Sequence, residues 1–585
     1  MRRYHDTGHR YPVRWLATIT TLSAALAIAG CGSNSNNDVE IADTSPKEFF
    51  FEIKEATIAS SQAAMQAGTL KCTTFVESYL DRIQRLDQDL ADGYPVNSVL
   101  WVNENVRQQA QALDNTLTQT GEMHGSLHCV PILLKDNYDT ADMPTTAGSL
   151  TMLGSQPTAD ATTVARLRDA GAIILGKATM DAWAMGANGA SSRPRAGSPY
   201  NRAFLTSSSS SGPAAATTAS FTMAAVGSDT CNSLTGPGAV NGVVAIRSSY
   251  GMVSQNGIVP LSHSHDVAGP MARTVEDATR LLNVMAGIDS QDATTAADPS
   301  AVRYDDYTQF LDSDAATGKR IAILGSYGGN TATPDDSPEA EAVAAAIDQL
   351  RALGAEVVGP LEFENYVGTY LADYEAEDDL NGYYASHPTP LANIMALAND
   401  PLVHPNVKAR VLDRIIPQID TDDPAYAALL EDNTDGARRF EAFMDNNDLD
   451  AIVLQGGSAC ALSVTTGIPY MVVPIADGRT DEDPRPVGLG IMARKWDEAT
   501  MLGIGYAYEQ ARGPRPVPTV NTALLGDVVL PALQPETYNA CVENIALTAR
   551  DIQGDEFRDI SSDDYLSYVM QTTCTLPTHI AAGIK

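Results

Sequence analysis

The chain reads as one large α/β domain, and two observations predict it. Apolar runs of strand length alternate with amphipathic stretches: VPILLKD, then DATTVARLRDAG, then AIILG; later RIAILG, PEAEAVAAAIDQLRALG and AEVVG; then DAIVLQ and YMVVPI. Strand–helix alternation of this kind builds a mostly parallel sheet with helices packed on it. These pieces run from Val130 to about Pro474 with no compositional break, so a single sheet is the economical reading. At 585 residues and 44% hydrophobic, the chain can bury a large core and is not wholesale disordered.

Taken in order, residues 1–30 read as a targeting segment. Arg2, Arg3, Arg10 and Arg14 precede a short Ala/Leu-rich stretch, Trp15 to Gly30, which ends in LAIAG before Cys31. A basic start, a short apolar centre and small residues at the cut site describe a signal peptide rather than a spanning helix. The residues before Cys31 resemble a bacterial lipobox, which implies cleavage there and lipid attachment to the Cys31 thiol. Residues 31–45 then form a polar tether, and no later apolar run is long enough to span a bilayer. The expectation is an exported protein, lipid-anchored in the cell envelope at the outer membrane or periplasmic face; Gly32 suits the outer membrane.

A single domain is expected over 46–530. Pro46 to about Gln119 reads as helical, residues 120–290 as the chemical core, and 361–447 as a Tyr/Asp/Glu-rich peripheral helical segment. Residues 531–585 read as a C-terminal helical extension. Six cysteines remain after Cys31, and Cys541 with Cys574 is the expected disulfide. The net charge of −35 excludes nucleic acid as a partner, because phosphate would be repelled.

Three residues carry the chemistry. Lys135 ends an apolar run, Ser209 lies in TSSSSSGPAAATTA, and Ser233 lies in GSDTCNSLTGPGA. A serine hydroxyl becomes a nucleophile when a neighbouring base takes its proton. Lysine can be that base if burial lowers its pKa toward neutrality, and VPILL before Lys135 supplies the burial. The run Ser207–Ser211 would ordinarily be a linker, but the apolar AAATTASFTMAAVG after it argues for a buried turn. No histidine, metal or cofactor is needed. His263 and His265 alternate in LSHSHDVAGP without a third ligand nearby in sequence, so they read as wall or loop residues, and no metal is expected.

The separated motifs PILLKDNYDTADMPTTAGS, the serine–glycine turn, GSDTCNS and GIVPLSHSHDVAGPMARTVEDA occur in the order of the amidase signature family, and the chain resembles that family from about Phe75 to Ala286, again at GIPYMVVPIADG, and at PVGLGIMARKWDEATMLGIGYAYEQ. The resemblance implies an α/β/α fold with a mixed central sheet. It also implies a Ser-cisSer-Lys triad: Ser233 the nucleophile, Ser209 the bridge entered by a cis peptide bond, Lys135 the base. Backbone N–H groups of Thr230, Cys231, Asn232 and Ser233 would form the oxyanion hole, and Asp266 matches a structural aspartate. The implied function is hydrolysis of a carbon–nitrogen amide bond in a small or peptide-like substrate, without a cofactor.

The sequence also departs from the family. Cys231-Asn232 stands where the pattern has Gly-Gly, and Thr235 where it has Arg, leaving Arg247 as the substitute partner for Asp229. Asn tolerates positive φ moderately and Cys poorly. Cys231 reads as a structural or pocket-lining thiol. Ser208, Ser210 or Ser211 could relay in place of Ser209. Tyr366, Tyr370 and Tyr374 could wall the substrate or simply pack. The alternatives are an esterase or carbamate hydrolase using the same site, or an impaired amide-binding surface lipoprotein. A tRNA-dependent amidotransferase component fits the motifs but conflicts with export and with the acidic charge.

Overall fold

The computed structural model describes residues 51–87, 96–186, 196–334, 337–478, 483–518 and 539. The signal segment, Cys31, the tether, the C-terminal extension apart from Asn539, and the expected Cys541–Cys574 pair lie outside the described residues. Twelve strands form one mixed sheet: β1 Val99–Val102, β2 Pro131–Lys135, β3 Ile173–Ala178, β4 Ala224–Asp229, β5 Val244–Arg247, β6 Val267–Ala272, β7 Arg320–Tyr327, β8 Asn330–Thr331, β9 Glu356–Phe363, β10 Ala451–Gln455, β11 Tyr470–Gly478 and β12 Pro486–Met492. Their order is β1-β3-β2-β4-β6-β5-β11-β12-β10-β7-β8, with β9 also on β7.

The parallel pairs are β2 with β3 and with β4, and β7 with β9 and with β10. The middle of the sheet, β4-β6-β5-β11-β12-β10, is antiparallel throughout. "Mostly parallel" is therefore corrected to mixed, as the family resemblance implied. The antiparallel strands were hidden because VAGPMA and PVGLGIM carry Gly and Pro, which depress strand propensity. A second correction concerns the helical reading of 46–119: helices Ile58–Gln66, Cys72–Arg82 and Val106–Thr120 are there, but β1 lies among them. Four residues, VLWV, are too few to disturb a helical periodicity, and they gain their place by full burial on β3.

Helices cover the sheet, and its apolar side chains alternate between a large core that takes Val453, Met471 and Ile491 and a second core that takes Ile452, Val472 and Met492. Their ends follow ordinary capping chemistry. Thr274 accepts the Asp277 N–H at 3.0 Å to open Val275–Met285, with Glu276 and Asp277 in its first turn. Ser337 accepts the Ala340 N–H before Pro338–Ala352, whose proline sits in the first turn. The peripheral segment is helical as expected: Ala372–Ser386, Ile394–Asn399, Pro405–Arg410 and Pro424–Asn446. It has its own apolar cluster, in which Leu380, Tyr384, Leu397 and Val407 pack with Trp183 and Met152. An unexpected disulfide, Cys72–Cys129, ties the helix Cys72–Arg82 to the approach to β2 across a separation of 57 residues. A loop of that size is worth about 4 kcal/mol in the chain-entropy account.

Candidate active site

Because β2 and β4 are parallel neighbours, their carboxyl ends lie side by side, with Leu134 opposite Val226. Ligand sites in open α/β sheets gather at such ends. Lys135 is the last residue of β2, and Ser228 and Asp229 are the last of β4. The Lys135 side chain is fully buried. Its Nζ contacts Ser209 Oγ at 2.7 Å, the Ser228 carbonyl oxygen at 3.0 Å and Ser228 Oγ at 2.9 Å. Asn137 Nδ2 donates to the same Ser228 Oγ at 2.9 Å. Burial brings the Lys135 pKa down to about 7, with Asp229, Asp266 and Asp181 pulling the other way.

The serine run is not a linker. Ser209, Ser210 and Ser211 are buried, and Ser211 begins the helix Ser211–Thr218. The Ser208–Ser209 peptide bond is cis. Two backbone bonds fix the turn: Asp181 N–H donates to the Ser209 carbonyl at 3.1 Å, and Gly212 N–H to the Thr179 carbonyl at 3.0 Å. Gly212 has to be glycine, since a Cβ there would sit 2.3 Å from the Thr179 carbonyl oxygen. Ser210 Oγ donates to the Ser228 carbonyl at 3.1 Å, so it is already engaged.

Ser233 is buried and follows β4 by four residues. Ser210 N–H donates to its carbonyl at 3.2 Å, which joins the two serine segments. Among the described residues its hydroxyl forms no hydrogen bond, to Ser209 or to any other group. The structure thus brings Lys135 and Ser209 into direct contact and sets Ser233 beside them through the backbone. Among the described residues, the N–H groups of Thr230, Cys231, Asn232 and Ser233 have no protein acceptor. Asn232 holds φ +70°, and Cys231 is not in the left-handed region, so Asn stands where the loop needs positive φ. Thr235 Oγ1 donates to Asn232 Oδ1 at 2.8 Å.

Arg247 does replace the missing arginine. Its Nη1 donates to the Asp229 carbonyl at 2.6 Å and lies 3.3 Å from Asp229 Oδ1; its Nη2 donates to the His265 carbonyl at 2.8 Å. Asp229 Oδ2 in turn accepts the Leu234 N–H at 2.7 Å. Asp266 accepts from Thr230 Oγ1 and from the N–H groups of Leu261 and Ser262, a structural role for that aspartate. Burial lifts its pKa to about 6.

Two sequence readings need correction. Cys231 is not a thiol: it is bonded to Cys460, the first residue of the helix Cys460–Thr466. A separation of 229 residues gave no hint of that pairing. His263 does gain neighbours, since Glu375 and Asp379 of the peripheral segment join it with ligand atoms within 4.8 Å. These oxygens are occupied by protein donors. Asp379 accepts the His263 N–H at 2.7 Å and pairs with its Nδ1 at 2.9 Å, while Glu375 accepts from Ser262 Oγ, Tyr426 Oη and the Ser264 N–H. The bond to Asp379 raises the His263 pKa to about 9, so the cluster reads as an ion pair docking the peripheral segment. His265 is buried, accepts the Leu371 N–H at Nε2 at 2.8 Å and stacks on Tyr370. Tyr366 Oη lies 3.2 Å from Thr465 Oγ1. Sequence reasoning passed over Ser228, which the pairing of β2 with β4 brings to the amine, and Asn137, which binds Ser228 Oγ.

The amidase family profile matches residues 74–455. The chain belongs to the amidase family. It is 31% identical over 486 residues to a probable amidase of Arabidopsis thaliana, covering 79% of this chain and 91% of that one. It is also 31% identical over 499 residues to a glutamyl-tRNA(Gln) amidotransferase chain of Anaeromyxobacter sp. (strain K), covering 80% and 98%. The native peptide amidase from Stenotrophomonas maltophilia superposes with a TM-score of 0.70 at 32% identity, covering 79% of this chain and 98% of that one. This amidase therefore has the family's mixed-sheet fold and acts as a hydrolase on carbon–nitrogen bonds.

Proposed function

We propose that this amidase works without a cofactor, through an acyl-enzyme on Ser233, with Ser209 as proton relay and Lys135 as base. The observation that carries the reading is the buried Lys135 amine, 2.7 Å from Ser209 Oγ and with its pKa lowered to about 7. A neutral amine has two hydrogens and one lone pair. The hydrogens go to the Ser228 carbonyl and hydroxyl oxygens, which leaves the lone pair for the Ser209 O–H. The Ser233 hydroxyl, having no other partner among the described residues, turns to donate to Ser209 Oγ as the substrate enters. Ser233 Oγ then attacks the amide carbon, its proton passing to Ser209 as the Ser209 proton passes to Lys135. The acceptor-free N–H groups of residues 230–233 stabilise the oxyanion, each such donor being worth about 3 kcal/mol in the transition state. Collapse breaks the carbon–nitrogen bond, and the relay returns the proton to the leaving amine. Water repeats the sequence in reverse and frees the acid.

A small or peptide-like amide is the proposed substrate, supported by the likeness to the Stenotrophomonas peptide amidase. The net charge of −35 disfavours a role on tRNA. A fluorophosphonate probe tests the reading, because it reacts with an activated serine. One adduct is expected by intact mass, mapping to Ser233 and absent from Ser233→Ala. An adduct that persists in the variant, or maps elsewhere, would falsify the assignment.

Export and lipid anchoring at Cys31 belong to the same proposal. Support comes from the basic start, the LAIAG-Cys31 junction and two disulfides, which form in oxidising compartments. In a bacterial host, labelled palmitate is expected on the wild type but not on Cys31→Ser, with the variant leaving the membrane fraction. A Cys31→Ser protein that still takes up palmitate would count against the anchor.

A further inference from the structure

We propose that the Cys231–Cys460 disulfide is a positioning element of the acyl-transfer site, so that Ser233 reactivity depends on the pair being oxidised. This rests on Ser233 as nucleophile and deepens that reading. The loop from Asp229 to Ser233 is held at both ends. On one side Arg247 and Leu234 N–H fix Asp229, and Thr230 Oγ1 bonds to Asp266. On the other, Gly236 N–H donates to the Asn232 carbonyl at 3.0 Å and Ser210 N–H to the Ser233 carbonyl at 3.2 Å. Cys231 lies between them, and among the described residues its backbone forms no hydrogen bond in either direction. Its tether among the described residues is the bond to Cys460.

The far end of that tether is rigid. In the turn before Cys460, Gly456 N–H donates to the Gly488 carbonyl at 2.8 Å and Gly457 N–H to Tyr470 Oη at 2.7 Å. Ser458 Oγ donates to the Ala332 carbonyl at 2.5 Å. Gly457 is left-handed at φ +82°, and a Cβ on it would lie 3.1 Å from Gly236 Cα and 3.3 Å from Asn232 Oδ1. The two loops therefore touch, and the disulfide couples the donor loop to the carboxyl end of β10. That coupling matters because Asn232 holds positive φ without being glycine. Once released, the residue can relax toward the extended region and turn the neighbouring N–H groups away from the oxyanion.

Exposure separates the two disulfides. Cys231 and Cys460 are half-buried, whereas Cys72 and Cys129 are fully buried, so a small dithiol meets the site pair first. Reduction breaks one S–S bond and makes thiols of Cys231 and Cys460, while the dithiol leaves as its cyclic disulfide. The full-length protein is titrated with dithiothreitol, and each cysteine's state is mapped by differential alkylation. Fluorophosphonate labelling at Ser233 is resolved into a maximal rate and a half-saturating concentration.

As Cys231 and Cys460 become thiols with Cys72–Cys129 intact, the maximal rate should fall about 10- to 100-fold, a loss on the scale of impaired oxyanion donors. Half-saturation should change little, and reoxidation should restore the rate. Cys460→Ser should reproduce the slow rate, and Cys231→Ser/Cys460→Ser should ignore dithiothreitol. An undiminished rate with the pair mapped as thiols, or a double variant that still responds, overturns this inference while labelling at Ser233 stands. No labelling of the oxidised wild type overturns the Ser233 assignment itself.

Discussion

Ser233→Ala is expected to lower kcat by about five orders of magnitude while leaving the fold intact. The size follows from removing the covalent route altogether; loss of a serine nucleophile in other acyl-transfer enzymes costs about 10⁶ in kcat. What remains is the background supplied by the donor loop acting on water. Stability should hardly change, because the Ser233 hydroxyl has no partner among the described residues and its deletion orphans no buried group. The midpoint of thermal unfolding should therefore stay within the range of a neutral substitution, about 0.5 kcal/mol. The Ser210 N–H bond to the Ser233 carbonyl is backbone and survives the change. An alanine variant that keeps a few per cent of wild-type turnover, with the unchanged melting that guards against misfolding, would move the nucleophile elsewhere.

The same residue shows how much of the site could be read from one sequence. The burial of Lys135 and of the turn at Ser209 is legible because the signal is local: an apolar run before a lysine announces burial, and a serine turn followed by small apolar residues announces a packed turn; the roles given to Lys135, Ser209 and Ser233 rest on the family resemblance. The sheet strands rich in Ile, Val and Leu were legible for the same reason, from RIAILG to YMVVPI. Strands that carry Gly or Pro, such as β6 and β12, were not. Their stability comes from burial between neighbours, which no short window reveals.

Long-range pairings were the least visible. Arg247 could be nominated for Asp229 because a family position stood empty and a cation lay close by. Cys231 with Cys460, and His263 with Glu375 and Asp379, needed the fold to bring them together, and cysteine spacing alone never fixes connectivity. Asn232 falls between these cases. The positive φ demanded of its position was foreseeable from the glycine it replaces, but the disulfide beside it was not.

Lys135→Ala is expected to lower kcat about 10³- to 10⁴-fold, the upper part of the range for general acid–base catalysis. It removes the proton acceptor of the relay while leaving the nucleophile and the donor loop in place. Ser228 Oγ keeps its bond from Asn137 Nδ2, so the neighbouring polar groups are not all stranded. The pH profile adds a test that a merely structural lysine would fail. With the Lys135 pKa brought down to about 7 by burial, the ammonium form predominates in acid, and it has no lone pair for Ser209. The wild-type kcat/KM should therefore rise with pH through a midpoint near 7 and level off above it.

Stability should follow the same titration. The folded-state value of about 7 lies below the ordinary 10.5, so the unfolded chain binds more protons between those limits. Folding is then strengthened as pH rises from about 7 to about 10.5, and below pH 7 the full cost of burying the charge is felt. Lys135→Met removes the titrating group while filling its space. It should lose both the activity limb and that segment of the stability slope. A variant that retains the limb near pH 7 would place the controlling base on another residue, and a wild-type profile flat from pH 5 to 9 would show that Lys135 does not titrate in the catalytic cycle.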